Sequence, residues 1–149
     1  METKHHDYFL EGKLSFLDSE NEWFFDPETK DLYFYPPNGL DPNELKIRAK
    51  VQSYAFVITN SDYVQIKNIE FFSTTFKFTN SDYGLVEMCN LFYPSCYKRM
   101  LGIVDSQPNM SLFTSSSNSM VSKSAFRYTD GSALEMYSGN NIIEDCYFY

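Results

Sequence analysis

The sequence predicts an all-β solenoid, with short parallel strands stacked coil upon coil and a β-hairpin preceding them. Three observations carry that prediction. The stretch Asn60-Ser61-Asp62-Tyr63-Val64-Gln65-Ile66-Lys67-Asn68-Ile69-Glu70-Phe71-Phe72 is written again, in variant form, as Asn80-Ser81-Asp82-Tyr83-Gly84-Leu85-Val86-Glu87-Met88-Cys89-Asn90-Leu91-Phe92, twenty residues later. Apolar residues fall into columns that run on through two further segments. Val, Ile, Phe and Tyr dominate those segments, as suits strands. Self-similarity at a period of about twenty residues marks a unit that cannot bury its apolar face until a neighbour stacks on it.

The totals bound the possibilities. A chain of 149 residues with 43% hydrophobic and 18% aromatic content can fill the core of one ordered domain. Its 12 basic and 20 acidic residues leave a net charge of −8, which repels phosphate backbones and anionic lipid surfaces and makes nucleic acid an unsuitable partner. No apolar run reaches the roughly 18 residues of a membrane span. Met1-Glu2-Thr3-Lys4-His5-His6-Asp7 is too polar to begin a secretory signal peptide. Cys89, Cys96 and Cys146 are odd in number and lack the close Cys-x-x-Cys spacing of zinc or redox sites, so they read as free, buried thiols.

In chain order, residues 1–51 form a lead-in and residues 52–149 the coils. The first 21 residues read as irregular with one short strand, and His5 and His6, adjacent on an extended segment, point apart rather than toward one metal ion. Glu22-Trp23-Phe24-Phe25-Asp26 and Asp31-Leu32-Tyr33-Phe34-Tyr35 flank Pro27-Glu28-Thr29-Lys30 as the two arms of a hairpin. Pro36 and Pro37 end that pairing. Leu45, Ile47, Ala49 and Val51 alternate with Lys46, Arg48 and Lys50, the pattern of a half-buried strand.

The coils are read by columns. Ile66, Val86, Val121 and Ile143 serve as equivalent anchors at spacings of 20, 35 and 22 residues. Three residues later stand Ile69, Cys89, Ser124 and Cys146, and five later Phe71, Leu91, Phe126 and Phe148. Ahead of the anchors run the pairs Phe56/Ile58, Phe76/Phe78, Ser111/Phe113 and Leu134/Met136. Two inward residues three apart cannot share one straight strand, so each strand bends between them. Asn68 and Asp145 at that bend tolerate the left-handed conformation of a sharp corner, whereas Met88 and Lys123 do not favour it. A left-handed corner is therefore expected in half of the coils. The 35-residue interval holds a loop insertion near residues 93–110. The chain reaches Tyr149 within a fourth coil and without a polar cap, which reads as the truncated, amino-terminal fragment of a longer protein whose further coils would stack on it.

The hairpin residues 22–36, with Asp130-Gly131-Ser132-Ala133-Leu134-Glu135-Met136 and Asn141-Ile142-Ile143-Glu144-Asp145-Cys146-Tyr147-Phe148, resemble right-handed, single-stranded parallel β-helix proteins of the pectin-lyase-like superfamily. The likeness is closest to bacterial polysaccharide lyases and β-helix glycosidases. It implies a secreted or periplasmic carbohydrate-active protein whose catalytic site lies in coils beyond this chain, and calcium as a possible cofactor through the resemblance alone. The alternative it leaves open is a non-catalytic, adhesin-like or tailspike-like module that binds glycans. These motifs are packing and turn signals, and no catalytic motif maps onto the residues.

Candidate site residues follow from chemistry. Lys98 and Arg99 in the insertion offer cations for an acidic sugar, beside Tyr93, Tyr97 and Met100; an ordinary loop packed on the wall is the competing reading. Phe72, Phe92, Arg127 and Tyr149, six after the anchors, form an outward row able to stack on sugar rings unless the hairpin of Trp23 and Phe25 covers it. Asp62 and Asp82 stand one coil apart, a weak calcium site and more simply solvated corner residues. Nothing in the spacing of Glu135 and Glu144 demands an acid/base pair.

Overall fold

The computed structural model describes residues 10, 12–48, 50, 52–95, 110–129 and 131–149. The chain divides into two compact units, Met1–Arg48 and Ala49–Tyr149.

In the first unit, β1 (Trp23–Phe25) pairs antiparallel with β2 (Leu32–Phe34), Trp23 opposite Phe34 and Phe25 opposite Leu32. Asp26 builds the turn: its Oδ1 accepts from the Glu28 N–H at 2.8 Å and the Thr29 N–H at 3.3 Å. Its carbonyl takes the N–H of Lys30, which sits at φ 69°. Two expectations fail here. Leu14–Phe16 is a 3-10 turn and no strand precedes Trp23 among the described residues. Leu45–Arg48 and Lys50 also lie outside any strand. Alternation supplies two faces, but a strand forms only where an edge accepts its backbone groups; here the chain leaves the 3-10 turn Pro42–Glu44, capped by Asp41, and its described residues join no sheet before β3.

The second unit holds the repeats. Its strands are β3 (Tyr54–Thr59), β4 (Gln65–Lys67), β5 (Glu70–Phe72), β6 (Thr75–Thr79), β7 (Leu85–Glu87), β8 (Asn90–Phe92), β9 (Ser111–Thr114), β10 (Met120–Ser122), β11 (Ala125–Arg127), β12 (Leu134–Tyr137), β13 (Ile142–Glu144) and β14 (Tyr147–Phe148). They form three four-stranded sheets, β3-β6-β9-β12, β4-β7-β10-β13 and β5-β8-β11-β14. All pairings within them are parallel. Each run of three strands is thus one coil, stacked in solenoid fashion on the one before, an arrangement compatible with a β-helix. The register aligns Ile66 with Val86, Val121 and Ile143. It also aligns Phe71 with Leu91, Phe126 and Phe148. Phe78, Phe113 and Met136 stand in line as well. The anchor column and the column five residues after it are ladders of two sheets, while Ile69, Cys89, Ser124 and Cys146 stand in the bends between them.

Between the sheets, Phe76, Phe78, Val86, Leu91, Phe113, Val121 and Phe126 are fully buried, each such side chain stabilising the fold by roughly 1.5–3 kcal/mol of transfer free energy. Phe78 and Phe113 stack at 4.6 Å with planes 9° apart. Gly84 leaves room for that pair, since a Cβ there would stand 2.9 Å from the Phe78 ring.

The bends differ from expectation in one respect. All four are left-handed: Asn68 at φ 56°, Met88 at 53°, Lys123 at 48° and Asp145 at 51°. Their N–H groups continue the ladder from coil to coil, as with Asn68 to Glu87 O at 3.1 Å, Met88 to Ser122 O at 3.2 Å and Lys123 to Glu144 O at 3.1 Å. Stacking fixes the backbone, and Met88 and Lys123 accept a local cost of about 1–2 kcal/mol. Inside the bends, hydroxyls take the backbone groups that strands leave unpaired. Ser124, the one polar member of its column, accepts from the Cys89 N–H at 3.1 Å and donates to Ser122 O at 2.8 Å. Ser116 does the same for Ser81 N–H and Thr114 O, at 3.1 and 3.0 Å. Cys89 and Cys146 are free thiols, as read from the sequence, and burial pushes both upward in pKa; Cys96 lies outside the described residues.

Candidate functional site

Two corners of the coil carry outward chemistry. The first follows β5, β8 and β11, where Ser73, Tyr93 and Tyr128 turn the chain at φ 58°, 54° and 57°. Just before the turn, the register places Phe72, Phe92 and Arg127 in one column. The Arg127 guanidinium lies 5.7 Å from the Phe92 ring centre and 5.9 Å from that of Tyr147. Tyr93 stacks on Tyr128 at 5.1 Å, and Tyr149 meets Tyr128 edge-on at 5.7 Å. Arg127, Tyr128, Tyr147 and Tyr149 line an open cleft of about 350 Å³. Among the described residues no carboxylate is paired with Arg127, whereas Lys67 and Lys123 share Glu87. Contact with ring faces leaves the guanidinium's in-plane N–H groups available to a planar anion.

The second corner joins β3, β6 and β9 to β4, β7 and β10. Asn60, Asp62, Asn80, Asp82, Ser115, Ser117 and Ser138 line a shallow trough of about 640 Å³. Asp62 Oδ1 accepts from the Asp82 N–H at 2.8 Å, and Asp82 Oδ1 from the Ser117 N–H at 2.7 Å. Each aspartate therefore pins the next coil with one oxygen. No group of three or more His, Cys, Asp or Glu side chains is placed to hold a metal ion among the described residues.

Of the residues chosen from sequence, Tyr97, Lys98 and Arg99, with most of the insertion at 93–110, lie outside the described residues. The outward row is present: Phe72, Arg127 and Tyr149 are exposed and Phe92 is half-buried. Glu135 and Glu144 sit on different sheets, β12 and β13. Glu135 accepts from the Tyr137 hydroxyl, and that bond pushes the phenol's pKa upward. Sequence reasoning missed Tyr147 as a ring partner of Arg127 and Tyr128 as part of the same cleft. Tyr128 was findable, because Ser73, Tyr93 and Tyr128 all stand seven residues after their anchors. It also missed Glu87, which bridges Lys67 at 3.3 Å and Lys123 at 3.2 Å; those two cations hold its carboxyl below the usual range.

No protein-family model matches the chain, and neither a curated protein nor a solved structure matches it. No helix among the described residues is long and apolar enough to cross a membrane. The functional reading rests on the chemistry of the two corners.

Proposed function

We propose that the second unit is a right-handed parallel β-helix of the pectin-lyase-like kind, part of a carbohydrate-active protein, and that its aromatic corner holds an acidic glycan. One observation carries the reading. Arg127 is a cation without a carboxylate partner among the described residues, set on aromatic faces in an open cleft. A uronate carboxylate or a sulfate meets the guanidinium fork in two parallel hydrogen bonds, while Tyr128 and Tyr149 take the sugar's C–H faces. Among the described residues no carboxylate or imidazole side chain lines the cleft, which favours binding here over bond cleavage. In a lyase or glycosidase of this architecture the reaction would be carried by other residues.

Calorimetric titration of the chain with hexagalacturonate and with a neutral hexasaccharide tests this. The acidic ligand binds more tightly, and Arg127→Ala weakens it about 10–100-fold, the loss of a charge-assisted pair of roughly 1.5–3 kcal/mol. Equal affinity for the two ligands, or an unchanged Kd in Arg127→Ala, overturns the reading.

A further inference from the structure

We propose that Tyr63 and Tyr83 form an oxidative cross-linking site, at which a one-electron oxidant of the haem-peroxidase class joins the two rings and ties the first coil covalently to the second. The residues stand at the same point of successive coils, both in the left-handed conformation, at φ 60° and 56°. Their rings lie 4.7 Å apart with planes 2° from parallel. Both are open to solvent, Tyr63 at 69% and Tyr83 at 47%, and among the described residues neither packs on a third ring. The Tyr63 N–H donates to Asp82 O and the Tyr83 N–H to Ser117 O, each at 3.0 Å. The ladder therefore holds both backbones in place, and rotation about the side-chain bonds alone brings the ring edges together. The other tyrosine pairs are less free. Tyr93 and Tyr128 stack at 5.1 Å, but Phe72, Phe92 and Tyr149 pack on that pair, and Tyr147 lies 6.4 Å from Tyr149.

The chemistry balances in three steps. Each phenol gives one electron and its hydroxyl proton to the oxidant, and the unpaired electron of each phenoxyl spreads onto the ring carbons beside the oxygen. A carbon–carbon bond then forms between such a Cε of Tyr63 and one of Tyr83, a step that proximity makes intramolecular. Each joined carbon loses its hydrogen as a proton while the oxygen of the same ring takes one up, so both rings return to phenols. Two hydrogens leave the protein in total, and with hydrogen peroxide as terminal oxidant they appear in two molecules of water. The new bond closes a loop between residues twenty apart in the chain, which restricts the unfolded chain as a disulfide does.

The test treats the full chain, dilute enough to stay monomeric, with a peroxidase and hydrogen peroxide, beside a tube of N-acetyltyrosine amide that shows the oxidant is working. The monomer gains dityrosine fluorescence and loses the mass of two hydrogens, and tandem mass spectrometry of a tryptic digest, which cuts between the two residues at Lys67 and Lys77, places the bond between Tyr63 and Tyr83. Tyr63→Phe and Tyr83→Phe keep a ring in the stack, match the parent's urea midpoint before oxidation, and lose the product; Tyr128→Phe retains it. Oxidation in concentrated urea removes the preference for this pair, and the natively cross-linked chain unfolds at higher urea than the untreated one. The proposal is overturned if the free tyrosine derivative couples while the monomer does not, if the bond maps chiefly to another pair, if the product survives in Tyr63→Phe or Tyr83→Phe, or if the cross-linked chain keeps the untreated midpoint.

Discussion

The trough corner and the aromatic corner have the same backbone and opposite surfaces. Both turn through left-handed residues, Asn60 and Asn80 at one and Tyr93 and Tyr128 at the other, with φ between 51° and 57°. Both pass their N–H groups to the next coil, Asn80 to Thr114 O at 2.9 Å and Tyr93 to Arg127 O at 2.9 Å. Yet one presents carboxylates and amides and the other rings around a lone guanidinium. The stacking ladder sets corner geometry whatever the residue, which frees the outward side chains to differ. Architecture and ligand chemistry are thereby written in different positions of the same coil.

The comparison breaks most severely through what the corners share. Phe113 is fully buried and stacks on Phe78. Phe113→Ala should cost about 3–5 kcal/mol by transfer loss and cavity formation, seen as a lower midpoint in urea, with the signals of both corners lost in one transition. Ser116→Ala tests one corner alone. It removes the acceptor of the buried Ser81 N–H and should cost roughly 1–3 kcal/mol. Amide exchange should quicken at Ser81, while the ring signals of Tyr93 and Tyr128 stay in place.

Smaller effects sharpen the claim that stacking overrides local preference. Met88→Asn puts a residue tolerant of φ > 0 at a bend held at 53° and should raise stability by up to about 1 kcal/mol. The reverse exchange, Asn68→Met, should lower it by a similar amount, as measured by urea unfolding. The smallest effect concerns acid. The folded pKa of Glu87 lies below its ordinary 4.5 because Lys123 and Lys67 donate to it. Its contribution is therefore present above that ordinary value and lost as pH falls through the lower folded one. Stability measured from pH 6 to pH 3 should fall less in Glu87→Gln than in the parent chain, and high salt should narrow the gap.

The inward side of the coils was legible in the sequence. Ile66, Val86, Val121 and Ile143 could be aligned because a buried position tolerates few residue types, and the same bend recurs between that column and the next. The left-handed turns at Met88, Lys123 and Tyr93 were not legible, because their N–H groups are taken by carbonyls of the following coil. The strand expected from Leu45 failed for a related reason: alternation specifies faces and says nothing of a partner edge. At the candidate site, Arg127 stood in the outward row, but its ring contacts arrive from Phe92, 35 residues earlier, and Tyr147, 20 residues later. No local pattern around Arg127 announces them. The choice of Lys98 and Arg99 followed from loop chemistry and lies outside the described residues.

The most direct test of the central claim, that the aromatic corner takes an acidic glycan, is a chemical-shift map of the chain titrated with hexagalacturonate. The Arg127 side-chain N–H and the rings of Tyr128, Tyr147 and Tyr149 should move together and saturate at one Kd, with Asn60, Asp62 and Tyr63 unmoved. Saturable shifts centred on the trough, or no saturable shift at Arg127, would contradict it.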